Sequence, residues 1–255
     1  VVAVSAGTLN GGSSTLGLSN TAATPFTISG TGVFAPSTST VDYNGAGNQT
    51  VTSTGFYKIK LSNSGTKTLP ATATISENFE VAGTAVASLA ATVTYNVNTL
   101  TLGGFSKANG TWGGTGSGAT NINTTYFAAT SGKLNVAVDS RPVLTITATG
   151  PVKTYGSALA TASYSNNFSV SGSLYGGESI TSITLTPDAN GVASTTPAGT
   201  SYVVTPSAVV GAGGFLESNY NISYVNYNGV VAKKAITITG LLGVNKPYDG
   251  TIASS

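Results

Sequence analysis

The sequence predicts an all-β protein, and three observations lead there. β-Branched residues dominate, with 41 Thr among 255 residues and Val and Ile set in short runs that alternate with polar neighbours. Gly and Pro, 33 and 9 residues, punctuate the chain every few positions and leave no stretch with helical periodicity. Asn-Gly and related dipeptides recur at Asn44-Gly45, Asn63-Ser64-Gly65, Asn109-Gly110, Asn190-Gly191 and Asn228-Gly229, where Gly or Asn tolerates a positive φ and so signals a turn. A Gly/Ser/Thr-rich chain can also be disordered. Here 40% of residues are hydrophobic, including 12 Tyr and 8 Phe, and their alternation is that of strands.

In chain order, the expected strands are Phe26–Ile28, Thr40–Tyr43, Tyr57–Leu61, Phe79–Val81, Thr92–Tyr95, Thr99–Leu102 and Lys133–Val138. Then follow Val143–Thr147, Phe168–Val170, Ile180–Leu185, Tyr202–Val204, Tyr220–Tyr227 and Ala235–Thr239. Through residue 140 the strands are short and separated by Gly/Thr/Ser turns. One flat sheet could not bury them, whereas stacking as rungs of a β-solenoid would, with Ile28, Val41, Ile59, Leu61 and Val81 facing in. A β-sandwich is the alternative for the same region.

Around Asp139-Ser140-Arg141-Pro142 the strands lengthen, which sets an expected division into 1–140, 141–235 and 236–255. A repeat then emerges. Leu144-Thr145-Ile146-Thr147 with Lys153-Thr154-Tyr155-Gly156 returns as Ile236-Thr237-Ile238-Thr239 with Lys246-Pro247-Tyr248-Asp249-Gly250. The 93 residues between Tyr155 and Tyr248 are the size of one all-β domain, so the second copy is expected to be truncated.

Lys153-Thr154-Tyr155-Gly156, with Asn219-Tyr220-Asn221-Ile222 and Asn228-Gly229-Val230-Val231, resembles the MBG domain of the Tyr-Gly-X type. Asn245-Lys246-Pro247-Tyr248-Asp249-Gly250-Thr251 is similar to the start of the related YDG domain. Val41-Asp42-Tyr43-Asn44-Gly45 and the run from Phe56 to Leu69 resemble repeats of very large Bacteroidetes-type surface adhesins. Leu100-Thr101-Leu102-Gly103-Gly104, Ala108-Asn109-Gly110-Thr111-Trp112-Gly113 and Tyr126-Phe127 look like a companion motif there. The resemblance implies tandem modules of a secreted bacterial surface protein, with Tyr155, Gly156, Tyr248, Asp249 and Gly250 as structural motif residues. Tyr155 is expected to be a buried anchor with its hydroxyl hydrogen-bonded, and Gly156 to follow in a turn.

Catalytic and cofactor chemistry finds little support in the residues. The chain has no Cys, His or Met, so no Ser-His-Asp triad, Cys nucleophile or zinc site can be assembled from it. Glu77 and Glu80 are the one close carboxylate pair, and an i, i+3 spacing in a regular strand sends them to opposite faces. No calcium loop or phosphate-binding loop is present. Neither an enzyme nor a cofactor or metal site is therefore expected.

Only 18 residues are charged and the net charge is +2, which gives no basic footprint for nucleic acid. No apolar run is long enough for a membrane helix. The 72 Ser and Thr hydroxyls, and the absence of oxidisable sulfur, suit a secreted or cell-surface stalk or filament. Tyr220, Ile222 and Tyr224 share one strand face and are read as core. Trp112 is read as a loop anchor. The expected partners are other copies, joined by strand addition at 236–255, and surface glycans; a carbohydrate-binding module of a secreted enzyme is the competing reading.

Overall fold

The computed structural model describes residues 1–240 and 250. It is nearly all β, 46% strand against 3% helix, and contains a β-solenoid of about five turns. The chain divides into two compact units. The first comprises 1–144, 171–179 and 211–223; the second comprises 145–170, 180–210 and 224–255.

The first unit is built by repetition. Its main sheet has the order Phe105–Ser106, Thr99–Leu102, Thr74–Val81, Gly55–Leu61, Thr40–Tyr43, Thr15–Gly17. The last five of these are parallel to one another, and only the Phe105–Ser106 hairpin strand runs against its neighbour. Parallel neighbours need a crossover; here the other sides of each rung supply it. One such side is the parallel sheet of Gln49–Thr50, Ser64–Thr68 and Thr84–Ser88. The first turns pair Val2–Val4 with Phe26–Ile28 and Thr8–Asn10 with Val33–Ala35.

Register explains the core. Leu16, Val41, Ile59, Phe79 and Leu100 are successive partners in the ladder, and the last four are 0–1% exposed. Tyr43, Leu61, Val81 and Leu102 form a second column two residues on. Alternation puts both columns on one face of the sheet. Aromatic edge contacts fill the early turns: Phe26 to Phe34 at 5.3 Å and Tyr43 to Phe56 at 6.4 Å. Buried Tyr43 keeps its hydroxyl satisfied, donating to Thr52 Oγ1 at 3.1 Å and accepting from Thr52 N–H at 2.9 Å. Ile28 is half-buried against this core, so the five residues expected to face inward all do.

The segments 171–179 and 211–223 meet the edge strand of the main sheet, Phe105–Ser106. The Tyr175 ring sits edge-on to Phe105 at 4.8 Å, and its hydroxyl accepts from Ser106 N–H at 3.2 Å. Tyr220, 1% exposed, stacks on Phe215 at 5.2 Å, accepts from Tyr175 N–H at 2.8 Å and donates to Glu178. Trp112 lies in the strand Gly110–Gly113 and not in a loop, and its Nε1 donates to the Ala108 carbonyl at 3.0 Å.

In the second unit the principal sheet has the order Ala162–Tyr164, Ser179–Pro187, Ser201–Ala212, Tyr227–Val230. Ile146, Ile183, Leu185, Tyr202 and Val204 make its core. Two turn expectations fail here. Asn190-Gly191 lies in the short helix Ala189–Val192, because Asp188 caps it: its Oδ1 accepts from Gly191 N–H at 2.8 Å. Asn228-Gly229 lies inside a strand, where glycine answers to packing, since a Cβ at Gly229 would stand 2.4 Å from the Tyr202 ring. The strand expected at Ala235–Thr239 is also absent. Ile236 and Ile238 are 84% and 74% exposed, and no neighbouring strand takes them up among the described residues.

Candidate functional site

Alternation that sends one set of side chains into the solenoid sends the other set out. The ladder therefore lays two polar rows across the main sheet. One is Thr15, Thr40, Lys58, Asn78 and Thr99; the other is Gly17, Asp42, Lys60, Glu80 and Thr101. Lys60 Nζ pairs with Glu80 Oε1 at 2.9 Å, and that hydrogen bond raises the Lys60 pKa. Asp42 accepts from Ser62 Oγ at 2.7 Å, yet burial outweighs this and pushes its carboxyl above the ordinary value. Thr99 Oγ1 donates to Asn78 Oδ1 at 3.0 Å.

The Glu77/Glu80 expectation is overturned by a β-bulge. Ile75 pairs with Phe56 and Asn78 with Lys58, so three steps on one strand oppose two on the other. The extra residue resets the alternation, and both carboxylates border one groove. They are not equivalent: Glu80 holds Lys60, while Glu77 accepts from Asn98 Nδ2 at 3.2 Å. The groove has a volume of about 380 Å³ and is lined by polar groups from successive rungs, with Ile59 its one hydrophobic residue. Ser140 stands half-buried at its border, and its buried Oγ has no hydrogen-bond partner.

The motif residues of the second unit behave differently from expectation. Tyr155 is 46% exposed and is not a buried anchor; its backbone N–H donates to the Ala232 carbonyl at 2.9 Å. The buried member is Lys153, two residues earlier and 1% exposed. Its ammonium donates to the carbonyls of Ser157, Gly191 and Ala193 at 2.7, 2.8 and 2.8 Å. All three donors of the group are thereby used, which is what burying an ammonium demands. Tyrosines are common anchors, which favours Tyr155 on sequence alone, but the recurrence of Lys153 as Lys246 is the sequence feature that marks the buried position. Gly156 does lie in a turn, at φ +88°. Tyr248 and Asp249 lie outside the described residues; Gly250 is exposed at φ +71°.

The first unit uses the same device. Lys67, fully buried, donates to Gly45 O, Gly47 O and Gln49 Oε1 at 2.6, 2.9 and 2.8 Å, and burial lowers its pKa. Nothing in composition or spacing marked it.

No family model, curated protein or solved structure matches the chain. What the geometry defines is a repetitive all-β scaffold with a polar outer face. No helix among the described residues is long and apolar enough to cross a membrane.

Proposed function

We propose that this chain is a structural and adhesive segment of a large secreted bacterial cell-surface protein, acting as a stalk or filament without catalytic activity. The observation that supports this best is the uninterrupted ladder from Thr15 through Thr40, Lys58 and Asn78 to Thr99. Each inner rung shares backbone hydrogen bonds with two neighbours, so load is spread over many equivalent bonds. The low charge makes such a surface insensitive to salt. On this reading residues 141–235 are an MBG-type module and 236–255 begin a YDG-like one. Ile236 and Ile238, exposed in a stretch without regular structure, suit addition to the sheet edge of a second copy.

The test is immunogold labelling of intact producing cells with antibody raised against the fragment. Label on the outer surface is the expected result. Label appearing only after permeabilisation overturns the proposal.

The competing reading, a carbohydrate-binding module, draws on the groove that Glu77 and Glu80 border.

A further inference from the structure

We infer that the groove on the outer face of the solenoid is a binding site for an uncharged, hydroxyl-rich oligosaccharide lying across successive rungs. This deepens the adhesive reading and rests on it. The groove is lined by three charged residues, Lys58, Glu77 and Glu80, and Glu80 is already compensated by Lys60 from beside the groove at 2.9 Å, which leaves one cation against one carboxylate. An acidic polymer or a phosphate backbone would require uncompensated cations. A lipid would require apolar walls, and Ile59 is the one hydrophobic residue there. A peptide adding by backbone pairing needs a free strand edge, whereas the four rungs from Thr40–Tyr43 to Thr99–Leu102 are paired on both sides and the Ser106 N–H of the edge strand is already taken by the Tyr175 hydroxyl.

What the groove does offer is a mixed set of neutral and compensated donors and acceptors: Asn78, Thr99 and Thr101 among the carboxylates and the Lys58 ammonium. Their rows repeat at the ~4.8 Å spacing of neighbouring strands. A polymer lying across the rungs therefore meets one polar side chain per strand step, in the order Thr40, Lys58, Asn78 and Thr99. The volume of about 380 Å³ gives room for a short stretch of such a chain. No aromatic ring lines the groove, so binding rests on hydrogen bonds and is weak at a single site. Repetition on a long stalk would compensate through avidity.

The experiment is a titration of the isotope-labelled fragment, followed by backbone amide NMR, with the neutral hexamers cellohexaose, xylohexaose and laminarihexaose and with acidic hexagalacturonate. At least one neutral hexamer should shift the amides of Lys58, Asn78, Glu80, Thr99 and Thr101. Asn78→Ala and Thr101→Val should each weaken that binding by about 3- to 10-fold, as loss of one or two neutral hydrogen bonds implies. Raising salt from ~0.05 to ~0.5 M should leave it unchanged. The inference is overturned if no neutral hexamer moves these amides, if the shifts map elsewhere, or if only hexagalacturonate binds and salt abolishes it. The wild-type map decides even if a variant fails to fold. A blank titration with intact surface labelling removes the sugar site and leaves the stalk; loss of surface labelling removes the stalk itself.

Discussion

Lys67 Nζ donates to Gln49 Oε1 at 2.8 Å, and Gln49 Nε2 donates onward to the carbonyls of Leu18 and Asn20 at 2.9 Å each. One polar chain thus crosses three successive turns of the solenoid, inside a wall that excludes water. Replacing Lys67 by Met would keep the volume and strand the Gly45 and Gly47 carbonyls, while Gln49 Oε1 keeps the Gly45 N–H at 3.2 Å. Urea unfolding should show a loss of about 3 kcal/mol, the scale of leaving buried polar groups unpaired. An unchanged midpoint would mean that water replaces the ammonium.

The buried lysine of the second unit yields a paired prediction. Lys153→Met removes donors from the Ser157, Gly191 and Ala193 carbonyls and should cost about 3 kcal/mol. Tyr155→Ala acts on a half-exposed ring and should change stability by only about 0.5 kcal/mol. Thermal melts of the two variants check the order; the reverse order would restore Tyr155 as the anchor.

Much of this fold is legible in the sequence, and the exceptions have physical reasons. Phe26–Ile28, Thr40–Tyr43 and Thr99–Leu102 form at the expected bounds, since each alternates apolar with polar residues. Ser64–Thr68 and Thr84–Ser88 escape detection because their inward residues are Lys67, Ala85 and Ala87, which give no hydrophobic period. The groove escapes too. Its two carboxylates share a side only through the bulge between Ile75 and Asn78, and a bulge leaves no mark in residue type. Lys153 was visible as a repeated position, but its burial depends on carbonyls from Gly191 and Ala193, some 40 residues away.

Alkaline pH should expose Tyr220. Burial, reinforced by its hydrogen bond to Glu178, pushes its hydroxyl from 10.0 up to about 12. The folded state thus holds that proton more tightly than the unfolded chain. Its contribution is fully present below pH 10 and is lost as pH rises through about 12. Tyr220→Phe should flatten the fall in stability across that window relative to wild type. Equal slopes in urea titrations at several pH values would show that other groups control it.

Gly229→Ala tests the close approach of strand and ring in the second unit. The added methyl meets the Tyr202 ring at 2.4 Å and must displace it, at a cost of about 1–3 kcal/mol. Fluorescence-monitored denaturation measures the loss, and a neutral result would show that the Tyr202 ring moves aside freely.

The most direct test of a load-bearing stalk is to pull on one molecule. The chain has no Cys, so a single cysteine introduced at each end gives unambiguous attachment points. Rungs that hold only their neighbours should release one after another, each of roughly 20 residues adding about 70 Å of extended chain. A sawtooth of such increments over the first unit is the result this account predicts. Extension without measurable resistance, or release of the whole solenoid in one step, would contradict it.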